Sequence, residues 1–252
     1  MRTKVLLVGC SGAMGGVVSQ LVSFQDQFDI VAGIDWKLSA GTYPIYERFE
    51  EVTESIDVII DFSSSEVLEE LLEFSIARKT PVVLCTTGYD QKDHERIQAA
   101  ARVIPVFRSE NMSYGINVMV KLLKQATKLM SDQFDIEIIE KHHNQKKDAP
   151  SGTAELISRE INACNNNQYF MQHGRKGNCT KRKSDEIGVH SIRGGTYYGE
   201  HTVIFAGNEE VLEIKHSAMS KKVFAEGALR AAAYIIQKNK GYFDMNNLID
   251  EN

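Results

Sequence analysis

The sequence predicts an α/β protein of two domains: an N-terminal, Rossmann-like doubly wound parallel sheet and a second α+β domain with a mixed sheet. Three observations carry that expectation. Up to about residue 110, short continuous Val/Ile/Leu runs alternate with amphipathic helical stretches, the pattern of a parallel sheet covered on both faces. A glycine turn joins the first apolar run to the first helix. After Asn111 the alternation gives way to a long helix and then mostly strand-like runs, which a second, mixed sheet would absorb.

In order, strands are expected at 4–8, 30–34, 58–61, 82–85 and 103–107, with helices at 14–23, 66–78 and 91–101 between them. Beyond them come a helix at 115–130, a strand at 136–140, a helix at 153–164, a loop, and strand-like runs at 186–193, 201–206 and 211–216. A last helix at 223–237 and the apolar tail 242–249 are expected to return to the first domain. The domains are therefore drawn as 1–112, completed by 221–252, and 113–220.

The turn reads Gly9-Cys10-Ser11-Gly12-Ala13-Met14-Gly15, directly after the strand Val5-Leu6-Leu7-Val8. Glycines let the backbone turn sharply and let a pyrophosphate approach the amides of a helix N-terminus. The spacing is G-x-x-G-x-x-G rather than the commoner G-x-G-x-x-G. Asp35 closes the second strand 20 residues after Gly15, where an acid accepts hydrogen bonds from an adenosine ribose. A structural turn with a surface Asp is the plainer alternative. Other strand-end turns, Asp61-Phe62-Ser63, Cys85-Thr86-Thr87-Gly88 and Ser109-Glu110-Asn111-Met112, fall on the same side of a parallel sheet and would line the cofactor crevice.

The most informative stretch is Glu140-Lys141-His142-His143-Asn144-Gln145-Lys146-Lys147-Asp148-Ala149-Pro150-Ser151-Gly152-Thr153. Two histidines and nearby lysines run into a helix start whose amides and dipole favour an anion. Histidine and lysine there can bind a carboxylate and donate a proton near neutral pH. A strand end with one packed and one solvated ring would explain the pair without chemistry. The mostly apolar run before it, delivering the cluster to a strand's C-terminal end, favours a site that holds an acid and protonates it.

Composition narrows the field. With 252 residues, 42% hydrophobic and 25% charged, the chain is that of an ordinary soluble globular protein. No apolar stretch nears the roughly 20 residues needed to span a bilayer, and the first apolar run is too short for a signal-peptide core. A net charge of −5 argues against nucleic acid as a partner, and the basic run from Arg175 to Lys183 reads as a solvated loop. Cys10, Cys85, Cys164 and Cys179 are scattered without C-x-x-C spacing, so reduced thiols in a cytoplasmic protein are expected, and no metal site.

Taken in order, G-x-x-G-x-M-G, Thr86-Thr87-Gly88, Asn111-Met112-Ser113-Tyr114-Gly115-Ile116-Asn117, the 140–153 segment, Arg193-Gly194-Gly195 and Gly199-Glu200-His201-Thr202 resemble the dihydrodipicolinate reductase family of bacterial lysine biosynthesis. The resemblance covers essentially the whole chain. It implies hydride transfer from NADH or NADPH to a cyclic, unsaturated dicarboxylate, giving tetrahydrodipicolinate. It implies His142 as proton donor and acceptor, Lys146 as a second proton donor, and His143 in contact with substrate. Ser151, Gly152 and Thr153 would bind a carboxylate. The cofactor would lie along Gly9–Met14, Asp35, Lys37, Phe62, Cys85, Thr86, Thr87 and 109–112, with Lys221 near the adenosine end. A homotetramer assembled through the second domain is implied as well. Ala13 stands where many members have Arg, Gln145 where some have His, and Trp36-Lys37 where several place Arg, which leaves the choice between NADH and NADPH open. Another amino-acid-pathway dehydrogenase would need an activated cysteine, and a non-catalytic NAD(H) sensor would leave the 140–153 cluster without a purpose.

Overall fold

The structure is a computed structural model that describes residues 1–37, 42–131, 133–178 and 181–251. Cys179, one of the four cysteines weighed above, lies outside the described residues. By its contacts the chain divides into two compact units, Met1–Tyr114 with Lys221–Asn252, and Gly115–Ser220.

The first unit contains β1 (Thr3–Val8), α1 (Ala13–Ser23), β2 (Phe28–Ile34), β3 (Ile45–Tyr46), β4 (Val58–Asp61), α2 (Leu68–Arg78), β5 (Val82–Leu84), α3 (Gln91–Ala101) and β6 (Pro105–Arg108). The chain then enters α4 (Tyr114–Met130), β7 (Asp135–His142), α5 (Gly152–Cys164), β8 (Phe170–His173), β9 (Glu186–Arg193), β10 (Gly199–Ala206) and β11 (Val211–Ala218). It closes with α6 (Lys222–Ile235), β12 (Gly241–Phe243) and α7 (Met245–Asp250).

Seven parallel strands form the first sheet in the order β12-β6-β5-β4-β1-β2-β3. Strand order reverses between β1 and β4, which puts a crevice at their carboxyl ends. Both faces are covered, and the strands are apolar nearly throughout for that reason. Leu6, Val8, Ala32, Ile59, Val82, Leu84 and Val106 point toward α2 and α3. Val5, Leu7, Ile30, Val58, Ile60, Val83 and Phe107 point toward α1, α6 and α7. The returning α6 thus buries a face that α1 alone leaves open. Its small residues allow the approach: a Cβ on Gly227 would sit 1.6 Å from the Met112 carbonyl oxygen.

The second sheet is mixed, in the order β11-β10-β7-β9-β8, with β10 antiparallel to both neighbours and β7, β9 and β8 parallel. One face packs on α4 and α5 through Ile116, Met119, Leu123, Ile157 and Ile161 against Ile136, Ile138, Ile187, Val189, Val203 and Phe205. The short edge strand β8 falls in the stretch expected to be a loop, and β3 in one to which no element was assigned, because neither carries a clear period-two pattern. Conversely, the strand expected at 103–107 begins only at Pro105. The amides of Val103 and Ile104 both bond to the Ala100 carbonyl and finish α3 instead of entering the ladder. Among the described residues no helix is long and apolar enough to cross a membrane.

Candidate active site

In the first unit the glycine turn folds as its residues require. Gly9 has φ +76°, and a Cβ there would come within 2.7 Å of Phe62 backbone atoms. A Cβ on Gly15 would come within 2.3 Å of the Gly9 carbonyl oxygen. The turn therefore lies flat against the β4 turn and leads straight into α1. Gly12 caps α1 with no side-chain hydrogen bond, so no side chain blocks that helix start. A cleft of about 460 Å³ opens beside it, lined by Gly9, Ser11, Gly12, Asp35, Trp36, Lys37 and Phe62, with Glu47 and Glu70 among its remaining walls. Asp35 accepts hydrogen bonds from the Ser11 amide at 2.9 Å and the Lys37 amide at 3.2 Å, which ties the turn to the end of β2. These features fit a dinucleotide: an open helix start for its pyrophosphate and a carboxylate for its ribose.

The other residues assigned to the cofactor are distributed differently. Cys10 is buried, with its thiol packed against Gly33, where a Cβ would meet Sγ at 2.6 Å. Met14 packs partly into the core and Met112 is buried in it. Ala13 is exposed at the start of α1, and Lys221 is exposed at the start of α6 and is not in the cleft wall. Thr86 is buried with its hydroxyl on Asp61 at 2.9 Å, while Thr87 is exposed beside it. Cys85, Ser109 and Asn111 are partly buried at the carboxyl ends of β5 and β6, with Glu110 exposed. Sequence reasoning missed Asp61 as an organiser. Its buried carboxylate also accepts from the Ser63 amide and hydroxyl, joining the β4 and β5 turns. Burial holds the Cys85 thiol well above its usual range, with the Asp61 charge adding to it, so it is no activated nucleophile.

In the second unit, the strand β7 alternates strictly. Ile136 and Ile138 point into the core, and the same period sends Glu140 and His142 inward behind them. Glu140 is fully buried. One of its oxygens meets His142 Nδ1 at 2.6 Å. Arg193, paired with His142 across β9, grips both oxygens at 2.7 Å each. The Ser151 amide donates to the other side of the carboxylate at 3.1 Å. Burial opposes the charge on Glu140, but the bonds from Arg193 and His142 outweigh it and hold the carboxyl down at about 2.

Because Glu140 is ionised, Nδ1 of His142 carries the proton and Nε2 faces away from it. Beside Nε2 lies Gly199, where a Cβ would come to 3.0 Å. Burial lowers the pKa of His142 more than Glu140 raises it, and the charges of Lys146 and Arg193 lower it further. Lys146 Nζ pairs with Asp148 at 2.8 Å after a turn in which its amide bonds the His143 carbonyl. Ser151 caps α5 by accepting the Ala154 amide at 3.2 Å, and its hydroxyl also meets Nε2 of buried His201 at 3.0 Å. Gly152 is exposed and Thr153 half-buried in the first turn of α5. The structure thus gathers His142, Arg193 and Ser151 around one carboxylate, with Lys146 on Asp148 in the turn between, while the half-buried His143 has its amide on the Tyr197 carbonyl at 2.8 Å. Glu140, Arg193 and His201 had no role assigned from sequence. The period-two face of β7 was the signal available for Glu140.

Family models for dihydrodipicolinate reductase match the chain end to end, the N-terminal model over residues 3–112 and the C-terminal model over 115–249. The chain belongs to the dihydrodipicolinate reductase family. A 4-hydroxy-tetrahydrodipicolinate reductase of Clostridium novyi is 47% identical over 248 residues, covering 98% of each chain. One from Caldanaerobacter subterraneus is 45% identical over 249 residues, covering 99% of each. A dipicolinate-bound dihydrodipicolinate reductase structure from Paenisporosarcina shares the fold, with TM-score 0.84, 22% identity and coverage of 98% of this chain and 99% of that one. As in the dihydrodipicolinate reductase family models, the match here runs through both halves, so the glycine turn and the 140–153 segment each fall within it.

Proposed function

We propose that the protein reduces 4-hydroxy-tetrahydrodipicolinate to tetrahydrodipicolinate with NADH or NADPH, a step of diaminopimelate and lysine biosynthesis. The observation that carries the reading is the buried Glu140 carboxylate that joins His142, Arg193 and the start of α5, in a chain of this family. The nicotinamide ring, when bound, supplies the hydride. Its pyrophosphate would lie on the turn 9–14 and its ribose on Asp35, with Phe62, 85–87, 109–112 and the lysines Lys37 and Lys221 completing the contacts.

The chain's own residues do the rest. The 4-hydroxyl leaves with a neighbouring ring proton as water, and hydride addition to the unsaturated ring that results leaves an extra electron pair, which one proton must neutralise. His142 supplies it from Nε2. The free imidazole is held neutral by burial, but a bound dianion favours its charged form, so substrate and proton arrive together. Lys146 adds positive charge and a second proton source. Gly152 and Thr153 take one carboxylate through amides and hydroxyl, with His143 beside them. Loss of reduced-nicotinamide absorbance on adding freshly generated substrate tests the reading, and no turnover with either cofactor would sink it.

The uncovered face of the second sheet carries half-buried Ile139 and Ile204, exposed Ile192 and the mixed charges of Lys141, Glu200 and Lys215. That face supports a homotetramer assembled through this sheet, which light scattering measures directly. A cytoplasmic site of action accords with the free thiols of Cys10, Cys85 and Cys164.

A further inference from the structure

We infer that His201 is a positioning residue for the substrate-carboxylate site, acting through Ser151 to hold the start of α5 beside His142. The inference rests on the reading above, in which residues 151–153 take a carboxylate.

The inner face of β10 runs Phe205, Val203, His201 and Gly199, each two residues apart and each buried. Phe205 and Val203 belong to the apolar core. His201 stands next in line, only 3% exposed, opposite Glu140 in the β7 register. A leucine would fill such a position without desolvating any polar atom, whereas an imidazole loses its water there. Among the described residues Nδ1 of His201 has no hydrogen-bond partner, which leaves the 3.0 Å contact from Nε2 to Ser151 Oγ as its polar engagement. That bond is what the buried ring gains.

Ser151 is the joint of the site. Its hydroxyl oxygen accepts the Ala154 amide, its own amide donates to Glu140, and Glu140 in turn meets His142. The hydroxyl oxygen engages Ala154 and His201 at once, so the histidine helps to hold that side-chain position in either tautomer. The His201 ring also lies edge-to-face with His142, centroids 5.3 Å apart, and so limits the swing of the proton donor. Burial, with the nearby His142 contributing, keeps His201 neutral down to about 3, so the contact persists throughout the range in which the enzyme would work. Without it, the amides of Gly152 and Thr153 keep their helix but lose a fixed relation to His142.

The test compares His201→Leu, His201→Gln, Ser151→Ala and the double variant His201→Leu/Ser151→Ala. It reads KM for substrate, the dissociation constant of pyridine-2,6-dicarboxylate and KM for NADH. Loss of one hydrogen bond predicts substrate KM and dicarboxylate dissociation constant raised about three- to tenfold in His201→Leu, with KM for NADH unchanged. His201→Gln, which can still reach Ser151, should recover most of the loss. The double variant should be no worse than Ser151→Ala alone, since both changes break one contact. Additive effects, or a His201→Leu enzyme with wild-type dicarboxylate affinity, would overturn the inference. If His201→Leu does not fold, His201→Asn, whose amide is too short to reach Ser151, decides: it must shift dicarboxylate affinity in the Ser151 background and not in the Ala background. Wild-type protein that neither turns over nor binds the dicarboxylate would instead defeat the functional reading itself.

Discussion

Arg193 grips Glu140 with two nitrogens, each 2.7 Å from a different carboxylate oxygen. The forked pair keeps a fully buried carboxylate ionised where burial alone would neutralise it. That charge then sets the tautomer of His142, 2.6 Å away, with the proton on Nδ1 and the lone pair on Nε2. Arg193 therefore sets the tautomer of His142 without touching it.

Replacing His142 with Gln should lower kcat by about 10²–10⁴-fold, the usual contribution of a positioned proton donor, with KM for cofactor little changed. Glu140→Gln keeps the imidazole but loses its orienting charge, so kcat should fall by less, about ten- to a hundredfold. Steady-state kinetics decide both. A His142→Gln enzyme with near-normal kcat would remove His142 from the mechanism.

Thr153→Val keeps the shape of the α5 start and deletes a hydroxyl. A lost hydrogen bond to a charged carboxylate is worth about 1.5–3 kcal/mol, which should appear in KM for substrate and not in KM for cofactor. Pyridine-2,6-dicarboxylate should compete with substrate. No inhibition at millimolar concentrations would mean that the dianion site lies elsewhere.

Acid should destabilise the fold in two overlapping stages. His201 titrates near 6.5 when unfolded but at about 3 when folded, so the unfolded chain binds the extra proton and stability falls as pH drops from 6.5 toward 3. Glu140 is depressed from 4.5 to about 2, so its stabilisation is present above 4.5 and is lost as pH drops toward 2. Asp61 works in the opposite sense, because burial raises its carboxyl above the ordinary value. Together the first two are worth on the order of several kcal/mol. Urea unfolding at a series of pH values should show stability dropping below about pH 6. A flat profile from 7 to 3 would show that neither group is held as the geometry implies.

The cleft beside the glycine turn carries Asp35, Glu47 and Glu70 against Lys37. Such a wall would repel a 2′-phosphate and accept a free 2′-hydroxyl, with Lys37 softening the repulsion. NADH should be equal to NADPH or preferred by less than about a hundredfold, since exposed pairs are worth only about 0–1 kcal/mol each. Activity with NADPH should fall more steeply with salt, because it depends on the exposed lysines. A strong, salt-insensitive NADPH preference would place Asp35 away from the ribose.

Much of the molecule was legible in one dimension. The apolar runs at β1, β4 and β5, the glycine turn and the break in alternation after Asn111 follow from local rules: which residues pack on two faces, which backbone can turn sharply, which helix needs a start. The segment from His142 to Thr153 was also legible, because strand end, turn and helix start are contiguous. What lay beyond reach was whatever the chain assembles from distance. Glu140 reads as an ordinary strand glutamate until β9 sets Arg193 opposite His142, 51 positions later in the sequence, and β10 sets His201 opposite Glu140. Asp61 reads as a strand end until Thr86 reaches it from the next turn. Short edge strands β3 and β8 exist only because β2 and β9 offer them hydrogen bonds. Local sequence dictates the elements, since propensity and periodicity act over a few residues. Buried charges are decided by register, because only packing can bring their partners within the few ångströms over which a desolvated carboxylate is stabilised.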